Sequence, residues 1–189
     1  MASLPSPILT AEQYVEIDNC ADSLYEYIDG EMFEVEAATP NHGRIQGNLT
    51  IAVGTRLRTP PCAVLGQSAR VQAPGGRHFH PDLLVVCGKL EVLPDDSVLN
   101  PAVVFEILSK STAGFDLGRK GVFYRSIPSL QEYILVEQSR AWVQRWTRQP
   151  APWHVDEYAG LDAVLPITAL GCEIPLSELY RGADWNSIE

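Results

Sequence analysis

Two short apolar runs constrain this chain more than any other feature: Asp82-Leu83-Leu84-Val85-Val86-Cys87 and Ala102-Val103-Val104-Phe105-Glu106-Ile107-Leu108. Each has the length of a β-strand, and neither alternates polar with apolar positions, so both faces of each strand are expected to be covered. Each run nevertheless carries one carboxylate, Asp82 at the entrance of the first and Glu106 inside the second. An unpaired ionised carboxylate in such a strand costs several kcal/mol, so a cation or a proton is expected to hold them there.

The rest of the chain supplies the layers that cover those strands. Thr10-Ala11-Glu12-Gln13 has the spacing of a capping box and predicts a short helix ending near Asp18 to Ala21. Asp29-Gly30, flanked by Leu24 to Ile28 and Glu31 to Ala37, predicts a two-residue hairpin turn. Pro40-Asn41 opens a predicted helix whose stripe of Ile45, Leu49, Val53 and Leu57 runs to about Arg58, where Pro60-Pro61 stops it. Strands are predicted over 63–73, 82–87 and 102–108, a helix over about 116–126, and strands over 132–136, 141–148 and 153–158. A Pro- and Gly-punctuated tail then has room for a further hairpin and a terminal turn. This order predicts one mixed α/β (α+β) domain over 1–189, with a central sheet flanked by helices.

Composition excludes some classes and bounds others. No apolar stretch approaches the roughly 18 residues of a membrane span, and Met1 to Thr10 lacks the basic and apolar regions of a leader, so a cytoplasmic protein is expected. Cys20, Cys62, Cys87 and Cys172 show no close pairing, so neither a zinc knuckle nor a disulfide framework is signalled and buried free thiols are expected. A net charge of -10 opposes a protein that coats nucleic acid. Its distribution is uneven: residues 1–36 hold nine acids and no Lys or Arg, whereas residues 37–81 hold five arginines, three histidines and no acid. That stretch is compatible with a local basic face or with a solvated, arginine-bearing helix.

The chemistry-bearing side chains can be placed on these elements. Strand alternation puts Glu106 on one face with Val104 and Leu108, and Val103, Phe105 and Ile107 on the other. One Asp and one Glu on neighbouring strands would suffice for a hard divalent cation such as magnesium, which keeps several of its waters. Each could instead cap a loop amide or pair with an arginine. Glu26, in Leu24-Tyr25-Glu26-Tyr27-Ile28, completes the site if the aliphatic face looks inward and is solvated if the tyrosine face does. Asp116, Lys120 and Tyr124 share one helix face; Lys120 either forms an exposed ion pair with Asp116 or reaches the carboxylates, where it would orient water and stabilise phosphoryl charge.

Taken in order, Tyr25-Glu26-Tyr27-Ile28-Asp29-Gly30-Glu31, His42 at the start of the long helix, and Pro81-Asp82-Leu83-Leu84-Val85-Val86 form one half of a pattern. Phe105-Glu106-Ile107-Leu108-Ser109 leading to Ser111-Thr112, the Asp116, Lys120 and Tyr124 spacing, and Glu132-Tyr133-Ile134-Leu135-Val136 form the other. Over roughly residues 8 to 180 the chain resembles the Uma2-like restriction endonucleases of the PD-(D/E)XK nuclease superfamily. The resemblance implies a restriction-endonuclease-like core with an additional C-terminal β-hairpin. It implies Mg2+, with Mn2+ as a substitute, held by Asp82, Glu106, the Ile107 carbonyl and Glu26. Lys120 and His42 join Asp82, Glu106 and Glu26 as catalytic residues, and DNA is the implied partner. Position 108 departs from the superfamily pattern, since leucine stands where the superfamily carries its lysine; Lys120, on the following helix, occupies the substitute's place. A second reading keeps the fold without the activity, as a DNA-binding or assembly module. There an edge strand over 141–148, with Trp142 and Trp146 on one face, would form a homodimer interface, unless those tryptophans cover the core.

Overall fold

In the computed structural model, which describes residues 8–57, 61–109 and 113–185, the elements form in the expected order. Helix α1 (Ala11–Cys20) opens on its capping box: the Thr10 hydroxyl accepts from the Gln13 amide at 3.3 Å, and the Gln13 side chain accepts from the Thr10 amide at 2.9 Å. Strands β1 (Tyr25–Ile28) and β2 (Glu31–Glu34) flank Asp29 and Gly30, whose φ values of 52° and 100° are those a tight hairpin demands. Helix α2 (Pro40–Arg56) is capped by Thr39 and buries Ile45, Leu49 and Val53. Arg58 and Pro60, at its expected end, lie outside the described residues, as do Ser111 and Thr112.

The stretch expected as a single strand over 63–73 is two. Strand β3 (Cys62–Gly66) ends in a turn closed by the Ala69 amide on the Gly66 carbonyl, and the chain then enters a different sheet as β4 (Val71–Ala73). Strand β5 (Arg77–Phe79), unforeseen in the sequence, pairs with β4 and with β1. Strands β6 (Leu83–Cys87) and β7 (Val103–Leu108) are the two apolar runs. Next comes a helical segment in three parts: α3 (Ala113–Phe115), a π turn (Asp116–Lys120) and α4 (Gly121–Arg125). It replaces the continuous helix expected over 116–126, because Gly118, at φ -96° and ψ -107°, breaks the helical path. Strands β8 (Glu132–Glu137), β9 (Trp142–Thr147) and β10 (His154–Ala159) follow, then β11 (Val164–Ile167), β12 (Cys172–Pro175) and α5 (Leu176–Leu179).

Two main sheets result, ordered β10-β9-β8-β7-β6-β3 and β2-β1-β5-β4, with β11 and β12 as a separate hairpin. All pairs are antiparallel except β7 with β8, whose connection is the helical segment. The larger sheet is covered on both faces. Leu83, Val85, Val103, Phe105 and Ile107 pack on α2, α5 and the C-terminal hairpin. Leu84, Val86, Val104 and Leu108 pack with Phe79 of the smaller sheet and Tyr124 of α4. This is the mixed, helix-flanked architecture expected, with its C-terminal hairpin.

Two further expectations fail. The strand expected at an edge, β9, lies between β8 and β10, and Trp142 and Trp146 pack on the core while Arg140 and Arg125 lie over their rings. Cys62 and Cys87, opposite each other on β3 and β6, form a disulfide across 25 residues of sequence, a pairing set by sheet register that no local spacing announces. Of the two free cysteines, Cys20 is exposed and Cys172 partly buried.

Candidate active site

Asp82 precedes β6 by one residue. Because Leu83 stands opposite Phe105, the antiparallel register carries Asp82 alongside the residues that follow Phe105. Its Oδ2 accepts the Ile107 amide at 2.7 Å, and its Oδ1 lies 2.8 Å from Nε2 of His42, in the first turn of α2. One turn further along the helix, the Gln46 side-chain amide donates to the Asp82 carbonyl at 2.9 Å. The carboxylate is thus fixed from the sheet on one side and from α2 on the other.

Glu106 points to the face shared with Val104 and Leu108, as alternation requires. There it meets the helical segment, which crosses that face between the parallel strands. The Lys120 ammonium stands 2.8 Å from Glu106 Oε1, 2.7 Å from Glu26 Oε1 and 3.6 Å from Asp116 Oδ1. The Tyr124 hydroxyl donates to Glu106 Oε1 at 2.9 Å. Of the two arrangements open for Glu26, the inward one holds, while Tyr27 on the opposite face is buried too. Of the two open for Lys120, the buried one holds: Glu26, Asp82, Glu106, Asp116 and Lys120 are each 8% exposed or less.

Asp116, Lys120 and Tyr124 converge here although the segment carrying them is not a regular helix. A π turn is a common device at functional sites, and close packing accompanies this one. A Cβ added to Gly121 would stand 2.9 Å from the Asp116 carbonyl, which already accepts the Tyr133 hydroxyl at 3.0 Å.

The electrostatics follow from burial. Desolvation pushes the Glu106 carboxyl well above the usual carboxylate range; Lys120 opposes this, while Asp116, Asp82 and Glu26 add to it. Burial works to depress the Lys120 ammonium, yet Glu106, Glu26 and Asp116 together overturn that and hold it well above the usual lysine range. Burial also raises the Tyr124 phenol, and Glu106 raises it further, so Tyr124 stays a hydrogen-bond donor.

Among the described residues no group of three or more His, Cys, Asp or Glu side chains is gathered as a metal centre. The donor chemistry nonetheless fits a hard divalent cation. Three buried carboxylates face one ammonium and Asp82 is buried beside them, the donors are oxygens, and magnesium needs only one or two protein carboxylates plus waters. Asp82 and Glu106 are the pair on neighbouring strands that meets this need, with the Ile107 carbonyl next in the chain.

Sequence reading missed a second buried network beside the site. Asp18 of α1 accepts the Tyr25 amide at 2.9 Å and the Arg70 guanidinium at 2.7 Å, and lies 3.1 Å from His80 Nε2. The His80 amide in turn meets Glu26 Oε1 at 3.4 Å. The available signal was the run His80-Pro81-Asp82, which ties this network to a site carboxylate.

Three of the four described arginines in 37–81 do not form the basic face open there. Arg56 makes a two-pronged ion pair with Glu178, Arg70 is buried on Asp18, and Arg77 pairs with Asp29 at 2.6 Å. Arg44 donates to the Gly182 carbonyl and is the one of the four described arginines there without a carboxylate partner. Intramolecular acids, most of them from distant parts of the chain, have taken the charge.

Comparisons with known proteins agree with this architecture. A solved structure from Anabaena variabilis, described as a "putative nuclease belonging to DUF820", superposes with a TM-score of 0.73 over 91% of this chain and 97% of that one, at 15% identity. That likeness is one of fold. Two proteins of Synechocystis sp. are similar in sequence. The uncharacterized protein sll1609 is 33% identical over 141 residues, covering 73% of this chain and 80% of its own length. The uncharacterized protein slr1290 is 25% identical over 182 residues, covering 95% of each. The family model Uma2, described as "Putative restriction endonuclease", matches residues 11–177, a span that includes every residue of the buried cluster. The chain belongs to the Uma2 family.

Proposed function

We propose that this protein is a metal-dependent endonuclease that hydrolyses DNA phosphodiester bonds. One observation carries the reading: a buried lysine ammonium is held 2.8 Å from Glu106, beside an Asp82 that is oriented from two sides. Exposed ion pairs contribute at most about 1 kcal/mol, and buried ones are often neutral for stability, so stability alone gives little reason for this cluster.

A magnesium or manganese ion held by Asp82 and Glu106, with the Ile107 carbonyl, would supply Lewis-acid polarisation of the phosphate and activation of water. Lys120 provides a fixed positive charge beside that place, where it stabilises negative charge on the phosphoryl group and orients the attacking water. His42 and the Ile107 amide keep the Asp82 oxygens in one orientation, and the Tyr124 hydroxyl does the same for Glu106.

The test is cleavage of supercoiled plasmid and single-stranded DNA with magnesium or manganese against EDTA, for the wild type and Glu106→Gln. Metal-dependent cleavage is expected in the wild type and a loss of about 100-fold or more in the variant, with an unchanged circular dichroism spectrum. Cleavage that survives EDTA, or survives in Glu106→Gln, overturns the reading.

A further inference from the structure

We infer that Glu26 is a positioning residue for Lys120 rather than a ligand of the metal, so that the site takes one divalent cation and Lys120 stands in place of a second. The inference rests on the metal-dependent reading above and goes beyond it.

Glu26 and Glu106 come from different sheets, the first from β1 of the smaller and the second from β7 of the larger. The Lys120 ammonium bridges them, at 2.7 Å from Glu26 and 2.8 Å from Glu106. A second divalent ion shared by these carboxylates would lie against that ammonium, where like charges in a dry interior repel strongly. Lys120 is 5% exposed, and its nitrogen stands 5.9 and 5.8 Å from the ring centres of Phe79 and Tyr124, so it is packed in place rather than reaching in from solvent.

Glu26 is itself held for this task. The same Oε1 that meets Lys120 lies 3.4 Å from the His80 amide, and the preceding residue is anchored through the Tyr25 amide on Asp18 at 2.9 Å. To ligate a metal through that oxygen, Glu26 would have to release a buried ammonium. Glu106 meets the same ammonium through its Oε1, but it adjoins Asp82, whose Oδ2 accepts the neighbouring Ile107 amide at 2.7 Å, so these two carboxylates can share one ion, whereas Glu26 reaches the ammonium from the other sheet.

Calorimetric titration of Mn2+ into the wild type, Glu26→Gln, Glu106→Gln and Lys120→Met, with thermal melts of each, tests the inference. The wild type is expected to bind one ion per chain. Glu26→Gln should keep that ion with an affinity within about threefold while turnover on plasmid falls about 10- to 100-fold, and Glu106→Gln should weaken the ion about tenfold or more. Two ions in the wild type, or an ion weakened as much by Glu26→Gln as by Glu106→Gln, overturns it. If Glu26→Gln does not fold, Lys120→Met reads the same contact from its other end. There a second ion or a tighter first ion is expected, and binding identical to the wild type overturns the inference. A wild type that binds no Mn2+ at millimolar concentration removes the metal-dependent reading itself, an outcome distinct from the others.

Discussion

Lys120 is nearly excluded from water with carboxylates at 2.7, 2.8 and 3.6 Å, and the ion pairs it makes are of the kind that seldom stabilises a fold outright. Its partners need it more than it needs them, because without the ammonium the burial that already raises Glu106 would act on a cluster of uncompensated carboxylates. A second buried group sets its own limit on the molecule. Burial pushes the His78 imidazole down from 6.5 to about 4, and the nearby Arg70 adds to that. The folded ring therefore stays neutral where the unfolded chain would protonate it, so its contribution to stability is complete above pH 6.5 and is lost as the pH falls towards 4. Urea denaturation at pH 7 and 4.5 should show the wild type losing about 2 to 3 kcal/mol more than His78→Gln. Equal losses would mean that His78 is protonated within the fold. At this scale the sequence was legible where a charge broke an apolar pattern, as at Asp82, Glu106 and Glu26. It was not legible where two polar residues met across the fold, as Asp18 and Arg70 do, because neither breaks a local pattern.

Among the elements, β8 ties the larger sheet to the C-terminal hairpin. Glu132, at its start and fully buried, accepts from Arg145 of β9 at 2.9 and 3.2 Å, from the Thr168 hydroxyl at 2.7 Å and from the Ala169 amide at 2.8 Å. The strand that pairs with Glu106's strand is thereby tied to the turn between β11 and β12. Glu132→Ala would leave the Arg145 guanidinium buried without its carboxylate, and a loss of about 3 to 5 kcal/mol is expected in chemical denaturation. A loss below about 1 kcal/mol would show that Arg145 finds Asp156 or water instead. Long strands with continuous apolar character could be read from the chain, and so could α2 with its four-residue repeat. Half of the smaller sheet could not, because β4 and β5 have three residues each and offer no period to detect, whereas its β1–β2 hairpin was announced by Asp29-Gly30. The helical segment was a partial case: the four-residue spacing of Asp116, Lys120 and Tyr124 gave the right neighbours, whereas the π turn depends on Gly118 backbone angles that spacing does not encode.

For the molecule as a whole, the two sheets and α2 meet where the carboxylates gather, and a net charge of -10 surrounds them. Arg56, Arg70 and Arg77 are each joined to an acid of the same chain. These three therefore offer an arriving nucleic acid no unneutralised cation to displace the ions condensed along its backbone. Little counterion is released on docking, and the entropy of that release contributes little to affinity. Binding of single-stranded DNA, measured in EDTA from 50 to 300 mM salt, should give a slope of log affinity against log salt no steeper than about -2, equivalent to about three phosphates. A slope near -6 would mean that the arginines exchange their internal acids for phosphate. With the shallow slope, the protein would trade tight capture at low salt for an affinity that changes little across the ionic strengths of a cell.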